Sequence, residues 1–223
     1  MIFKIIQWIN RKTWKYYFVK TKLKALPHSN YPEEGNLDYQ KKLIREFNKK
    51  NKQTSFMTYP DLVDLLAKKF NPEDNFDFLD FGGEKIDFYL TLKSKFKNIN
   101  YFIFNQKKML SPFYNIKTEF NYLDLNIIEK LEEIFDKQYN FVNFGSTIQY
   151  LDDYENILKK IAIKSEYIFF SATHLYDSNS NEFKKNIIVK QLLGSPKPFF
   201  LYFFNRQDFF SILEKKNFKL LFE

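Results

Sequence analysis

The chain has 223 residues, 44% apolar and 20% aromatic, which suits one domain with a sizeable core and excludes a disordered chain. It has no cysteine, so disulfides, thiolate nucleophiles and cysteine-ligated metals are excluded, and its two histidines, His28 and His174, show no metal-ligand spacing. The formal net charge of +8 raises nucleic acid or an anionic membrane as partners, but only Arg11, Arg45 and Arg206 are arginine, so bidentate phosphate and base recognition is poorly served and nucleic acid is disfavoured.

Residues 1–24 are basic and amphipathic, with Ile2, Ile5, Ile6 and Ile9 on one helical face and seven Lys or Arg but no acid. Two readings stand: a helix packed on its own domain, or a membrane-surface helix anchored by Trp8 and Trp14. There is no apolar run of membrane-spanning length and no h-region with a small-residue cleavage site, so the expectation is a cytoplasmic protein, with peripheral membrane contact through residues 1–24 as the alternative. Leu26–Asn36 reads as a loop, and a polar helix is expected from Leu37 to Lys50. Thr58 is placed to cap the next helix, whose apolar face is Leu62, Leu65 and Leu66.

From Phe76 the pattern alternates. FDFLDF, NYFIFN, YNFVNFG and EYIFFSA read as strands, and FNYLDL as a short strand or strand end. IDFYLTLKSKF, LNIIEKLEEIF and ENILKKIAI read as helices. Toward the C-terminus NIIVKQLL and FFLYFF read as extended, the latter as a buried edge strand or one wall of an acceptor pocket. NRQDFFSILEKKN follows as a helix and FKLLFE as a closing strand. Strands separated by helices of about ten residues predict an α/β fold: a doubly wound, mostly parallel Rossmann-like sheet with helices on both faces. The expected division is an N-terminal helical segment, residues 1–57, and a Rossmann-like domain, residues 58–223.

The turn FLDFGGEKI closes the first strand of this alternating region. Two of the chain's five glycines adjoin there, at Gly82 and Gly83, where a tight backbone and close approach of a ligand would need them. An ordinary strand-to-helix turn is the alternative. The segment FLDFGG resembles the first motif of class I S-adenosylmethionine-dependent methyltransferases. More narrowly, an ordered set resembles a family assigned as methyltransferases and associated with bacterial surface-polysaccharide genes: Asp80-Phe81-Gly82-Gly83, Asn105-Gln106, Ser146-Thr147-Ile148-Gln149-Tyr150-Leu151 and Val189-Lys190-Gln191. The similarity runs from about Tyr59 to Glu223.

The resemblance implies a seven-stranded sheet, S-adenosylmethionine as cofactor and a sugar or related small acceptor. It places Asp80, Gly82 and Gly83 at the methionine end of the cofactor, Asn105 and Gln106 at the ribose, and Ser146, Gln149 and Tyr150 where cofactor meets acceptor. This sequence departs from the family pattern. The later turn glycines fall at Glu84 and Ile86, and Asn105 stands where an acid usually accepts from the ribose. Those departures keep a second reading open, a catalytically degenerate fold that binds a glycan or protein partner.

Three further residues have competing readings. Asp124 could accept from an adenine amino group or cap the helix expected at LNIIEKLEE. Ser146 could hydrogen-bond a ligand or cap a short turn, with Asp152 or Asp153 capping the next helix. His174 could take a proton from an acceptor hydroxyl or simply be an exposed loop residue.

Overall fold

The computed structural model describes residues 18–20, 23, 25–26, 35–49, 60–177, 186–191 and 199–221. The reading of residues 1–17, the Thr58 cap and the boundary expected at 57/58 lie outside them. The chain divides into two compact units, one of residues 32–145 with 164–171, the other of residues 1–31, 146–163 and 172–223.

The first is an α/β unit. Its strands are β2 (Asn75–Phe81), β3 (Asn98–Phe104), β4 (Leu125–Ile128), β5 (Tyr139–Asn143) and β6 (Ser165–Phe169), all parallel, in the order β4-β3-β2-β5-β6. Helices α1 (Leu37–Lys49), α2 (Pro60–Lys69), α3 (Ile86–Lys95), α4 (Lys107–Glu119) and α5 (Leu131–Ile134) belong with it. Chain order reverses between β2 and β5, the switch point at which such sheets bind ligands beyond their strand carboxyl ends.

Phenylalanine and tyrosine build its core in register. Tyr101, Phe78, Phe141 and Tyr167 lie on paired positions of β3, β2, β5 and β6 and form one stacked row, with centroids 5.3, 5.5 and 6.5 Å apart. Cross-strand aromatic pairs of this kind stabilise a sheet beyond the area they bury. Phe88 meets Phe78 edge-on from α3 at 5.2 Å. Helix α1 contributes Ile44 and Phe47 to the same core, and α2 contributes Leu62, Val63 and Leu66.

The second unit holds a mixed sheet in the order β1-β8-β9-β7, made of β1 (Phe18–Lys20), β7 (Leu175–Tyr176), β8 (Ile187–Gln191) and β9 (Phe199–Asn205). Strand β8 is antiparallel to β1 and β9, and β7 is parallel to β9. A 3-10 turn (Ile148–Tyr150), α6 (Tyr154–Lys164) and α7 (Arg206–Glu214) complete the described elements; Asn205 caps α7 by accepting from the Asp208 N–H at 3.2 Å.

Several expectations are corrected. Among the described residues the parallel sheet has five strands, and the seven expected are not confirmed: IIVKQ and FFLYFFN pair with each other in a separate mixed sheet. FFLYFFN is an interior strand there, bonded on both sides, not an edge. Residues 18–20 are a strand and not part of a helix. Phe120–Leu125 is mostly turn; the strand begins at Leu125 and takes in LNII, leaving only Leu131–Ile134 helical. KKMLSPFYNIKTE, for which no element was expected, is α4. Of the expected closing strand only Phe218–Leu221 are described; Asn217 before them turns with φ 64°, and among the described residues these four belong to no strand.

Candidate functional site

Strands β2 and β5 carry the first polar pair at the switch point. Asp80 is the penultimate residue of β2 and Asn143 the last of β5, directly opposite in register. The Asn143 amide donates to Asp80 Oδ1 at 2.8 Å, and the Tyr101 hydroxyl, from β3, donates to Oδ2 at 2.6 Å. Asp80 is buried, and desolvation pushes its carboxyl up to about 6 despite both hydrogen bonds, with Asp87 and Glu84 adding to the rise. Burial and the neighbouring Asp80 push the Tyr101 hydroxyl well above its ordinary value, so it keeps its proton and stays a donor. The free end of the Asn143 amide accepts from the Gly145 N–H at 3.0 Å, which ties the end of β5 to the same cluster.

The glycine turn follows. Gly82 sits at φ 87°, a backbone that disfavours any side chain, and donates its N–H to the Phe104 carbonyl at 2.7 Å. A Cβ on Gly83 would stand 2.3 Å from Asp80 Oδ2 and 2.8 Å from its Cγ, so glycine is what lets the turn close over the carboxylate. The turn is then fixed from two sides. Asn105 donates to the Gly83 carbonyl at 3.0 Å and accepts from the Gln106 N–H at 2.7 Å. Gln40, buried on α1, donates to the Glu84 carbonyl at 2.7 Å and accepts from the Ile86 N–H at 2.8 Å. Lys85, at the N-cap of α3, makes no side-chain capping bond, so Gln40 supplies that function from another helix.

At the positions of the family's later glycines, Glu84 is exposed, whereas Ile86 is fully buried in the hydrophobic core. Gln106 is exposed at the N-cap of α4. Asp124 is displaced from the role expected of it. It precedes β4, at the end of the sheet away from the glycine turn, where it accepts from the Tyr89 hydroxyl at 2.7 Å and pairs with Lys93 at 2.5 Å. The residue that does follow β4 at its carboxyl end is Glu129, exposed and accepting from the Tyr114 hydroxyl at 2.7 Å.

Ser146, Gln149, Tyr150 and His174 belong to the second unit. Ser146 is exposed and Thr147, not Ser146, occupies the N-cap of the 3-10 turn. Gln149 is buried and donates to the Ala172 carbonyl at 3.3 Å; the Tyr150 hydroxyl donates to Gln191 Oε1 at 3.2 Å. Asp152 is no helix cap: its Oδ1 accepts from the Leu26 N–H and the Tyr202 hydroxyl, each at 3.1 Å. His174 is a packed residue, not an exposed one. Its ring lies 4.7 Å from that of Phe203, and burial lowers its pKa, so it is neutral at pH 7.

Tyr101, Asn143 and Gln40 were not expected at the site. Asn143 had a signal, a polar residue ending the apolar strand YNFVN, and Tyr101 lay within NYFIFN, but neither pattern tells which strand lies alongside. Gln40 had none. Among the described residues no group of three or more His, Asp or Glu could hold a metal, and no helix is long and apolar enough to cross a membrane.

No family model and no curated protein matches the sequence. The fold is shared with a domain solved with S-adenosylhomocysteine bound. The N-terminal domain of EvdMO1 with S-adenosylhomocysteine bound aligns over 97% of this chain and 87% of its own, at 13% identity and a TM-score of 0.53. The same domain in the presence of S-adenosylhomocysteine and D-fucose aligns over the same shares at 12% identity and a TM-score of 0.50. An S-adenosylmethionine-dependent methyltransferase from Clostridium acetobutylicum ATCC 824 aligns over 82% of this chain and 89% of its own, at 15% identity and a TM-score of 0.48. Coclaurine N-methyltransferase bound to N-methylheliamine and S-adenosylhomocysteine aligns over 49% of this chain, which spans 34% of that protein, at 17% identity and a TM-score of 0.40.

The residues at the switch point fit such a cofactor in their chemistry. Asp80 and Glu84 bring carboxylates to the turn and Asn105 brings an amide, a set that suits an ammonium, a sulfonium and ribose hydroxyls and would repel a pyrophosphate.

Proposed function

We propose that this chain is an S-adenosylmethionine-dependent methyltransferase whose acceptor is a sugar or related small molecule of surface-glycan assembly. The observation that carries the cofactor part is the glycine turn closed over Asp80 at the switch point, where Tyr101 and Asn143 hold the carboxylate in one orientation. The acceptor class rests on the resemblance of the ordered motifs.

When bound, S-adenosylmethionine would supply a methyl group already activated by its sulfonium, so the chain's task is positioning. Asp80, Gly82 and Gly83 would hold the amino-acid end, and Asn105 and Gln106 the ribose. Ser146, Gln149 and Tyr150 would serve the acceptor, and neutral His174 is in the protonation state needed to take a hydroxyl proton.

One observation favours a second reading, a degenerate fold that binds without catalysis. Both ends of the Asn105 amide are already engaged by backbone groups, so a ribose would have to share its oxygen with the Gln106 N–H. Calorimetric titration with S-adenosylmethionine and S-adenosylhomocysteine separates the two. Micromolar binding supports the methyltransferase, and absence of binding at millimolar cofactor supports the degenerate fold.

A further inference from the structure

We infer that the second unit docks on an anionic lipid surface through the segment that follows α7, Lys215-Lys216-Asn217-Phe218-Lys219-Leu220-Leu221. The base of this segment is a hydrogen-bonded turn. The Lys215 N–H donates to the Ser211 carbonyl at 3.2 Å, Lys216 to Leu213 at 2.8 Å, Asn217 to Glu214 at 2.9 Å and Phe218 to Leu213 at 3.2 Å. Asn217, left-handed at φ 64°, ends the helix there. Beyond the turn Leu220 is 60% exposed and Leu221 70%. Lone exposed apolar side chains need no explanation; an adjoining pair rimmed by cations has the pattern of a protein or membrane contact.

The cations beside the leucines are uncommitted. Lys215, Lys216 and Lys219 are exposed, and among the described residues none of them forms an ion pair. Arg206, at the other end of α7, does pair, with Asp177 at 3.1 Å.

The partner's charge follows from how the chain distributes its own. The α/β unit holds 18 Lys or Arg against 19 Asp or Glu, a net −1, and the second unit holds 17 against 8, a net +9. The whole surplus therefore belongs to the unit that displays the two leucines, and it attracts an anionic partner to that unit. Residues 1–24 bring seven of its cations, so the segment after α7 shares its unit with the basic stretch read as amphipathic from sequence alone.

The side chains choose among anionic partners. Lysine is a point charge that lipid headgroups accept, and the segment has no arginine for bidentate contacts to phosphate or bases. Adjoining leucines fit acyl chains and add nothing on a nucleic-acid backbone. The segment is neither helix nor strand, so it presents no regular face to a shaped protein partner, and a lipid surface requires none. Docking of this kind is independent of whether the α/β unit holds a cofactor.

The test is sedimentation of the full chain with vesicles of phosphatidylcholine alone and of phosphatidylcholine with roughly 30% phosphatidylglycerol. The expected result is binding to the mixed vesicles only, weakened about tenfold or more between low and high salt. Leu220→Ser with Leu221→Ser leaves the charge unchanged and should cost about tenfold in partitioning, with the fold intact by circular dichroism. Lys215→Gln, Lys216→Gln and Lys219→Gln together should cost about as much. Absence of wild-type binding overturns the inference. So does binding that both variants keep within about twofold, which would move the contact to residues 1–24. Salt-sensitive binding to a DNA or RNA oligonucleotide, unaffected by the leucine changes and without vesicle binding, would make nucleic acid the partner.

Discussion

Gly35 donates its N–H, at 3.1 Å, to the carbonyl of Lys108, the one acceptor in helix α4 that Pro112 cannot use. In an unbroken helix the residue at 112 would donate to Lys108, four positions earlier, but proline has no N–H. The chain entering α1 fills that gap. It must pass very close to do so: a Cβ at Gly35 would lie 2.6 Å from the Met109 carbonyl oxygen and 2.6 Å from Pro112 Cδ. Gly35→Ala is expected to lower stability by about 1–3 kcal/mol in urea unfolding, because one of the clashing atoms is helix backbone and cannot move aside. Pro112→Ala removes the ring and restores a competing donor, so the two changes should couple by about 0.5–1 kcal/mol in a double-mutant cycle. Strict additivity would show that the two residues do not share the contact.

The pH dependence of stability reports on Asp80. Its carboxyl is raised to about 6 in the folded chain, chiefly by burial, against about 3.9 unfolded. The folded state therefore holds a proton that the unfolded state has lost between about pH 4 and 6, and stability falls as pH rises through that window. Above it the penalty is constant, about 3 kcal/mol at 1.36 kcal/mol per unit. Asp80→Asn removes the titration, so wild type should lose stability relative to this variant from pH 4 to 6 and run parallel to it above. A difference that stays flat with pH would mean that Asp80 titrates as an ordinary carboxyl.

The parts that were legible in the sequence are those in which local pattern and tertiary pairing agree. NFDFLDF, NYFIF and YNFVN are apolar strands whichever neighbour they take, and their alternation with helices was enough to predict a parallel α/β sheet. Helix α4 was hidden by Pro112, whose cost is offset by Gly35 from a distant part of the chain. LNII fits helical and extended periods equally, and only its pairing with Tyr101–Phe104 makes it a strand. The turn at Asp80, Gly82 and Gly83 was readable because all its residues are consecutive. Tyr101, Asn143 and Gln40 reach it through register and helix packing, which no local window contains.

Asn143 is a neutral donor where a carboxylate would be isosteric, and that chemistry is testable. Asn143→Asp would set two carboxylates at the 2.8 Å contact now made by the amide, and two such groups cannot both ionise in a buried site. One should bind a proton with a strongly raised apparent pKa that belongs to the pair. The expected result is a loss of about 3 kcal/mol or more at pH 8, with part of it recovered near pH 5. A loss of the same size at both pH values would assign the role of Asn143 to its bond with Gly145 rather than to the charge on Asp80.

Asp124 was expected to face adenine and instead lies at the opposite end of the sheet, so its removal should separate stability from cofactor binding. It is the acceptor for the hydroxyl of Tyr89, which is fully buried, and the partner of Lys93, whose ammonium also lies 5.5 Å from the rings of both Tyr89 and Tyr122. Burial and the Asp124 carboxylate raise the Tyr89 pKa, so the hydroxyl cannot ionise to relieve a missing acceptor. Asp124→Ala should therefore lower stability by about 1–3 kcal/mol, the cost of an unpaired buried donor. Asp124→Asn, which keeps an acceptor for Tyr89 and loses the ion pair with half-exposed Lys93, should cost under about 1 kcal/mol. With either variant folded at low temperature, S-adenosylhomocysteine affinity should match wild type within about twofold, since no group at the glycine turn is disturbed. A loss of about tenfold or more in Asp124→Asn would return Asp124 to the cofactor site.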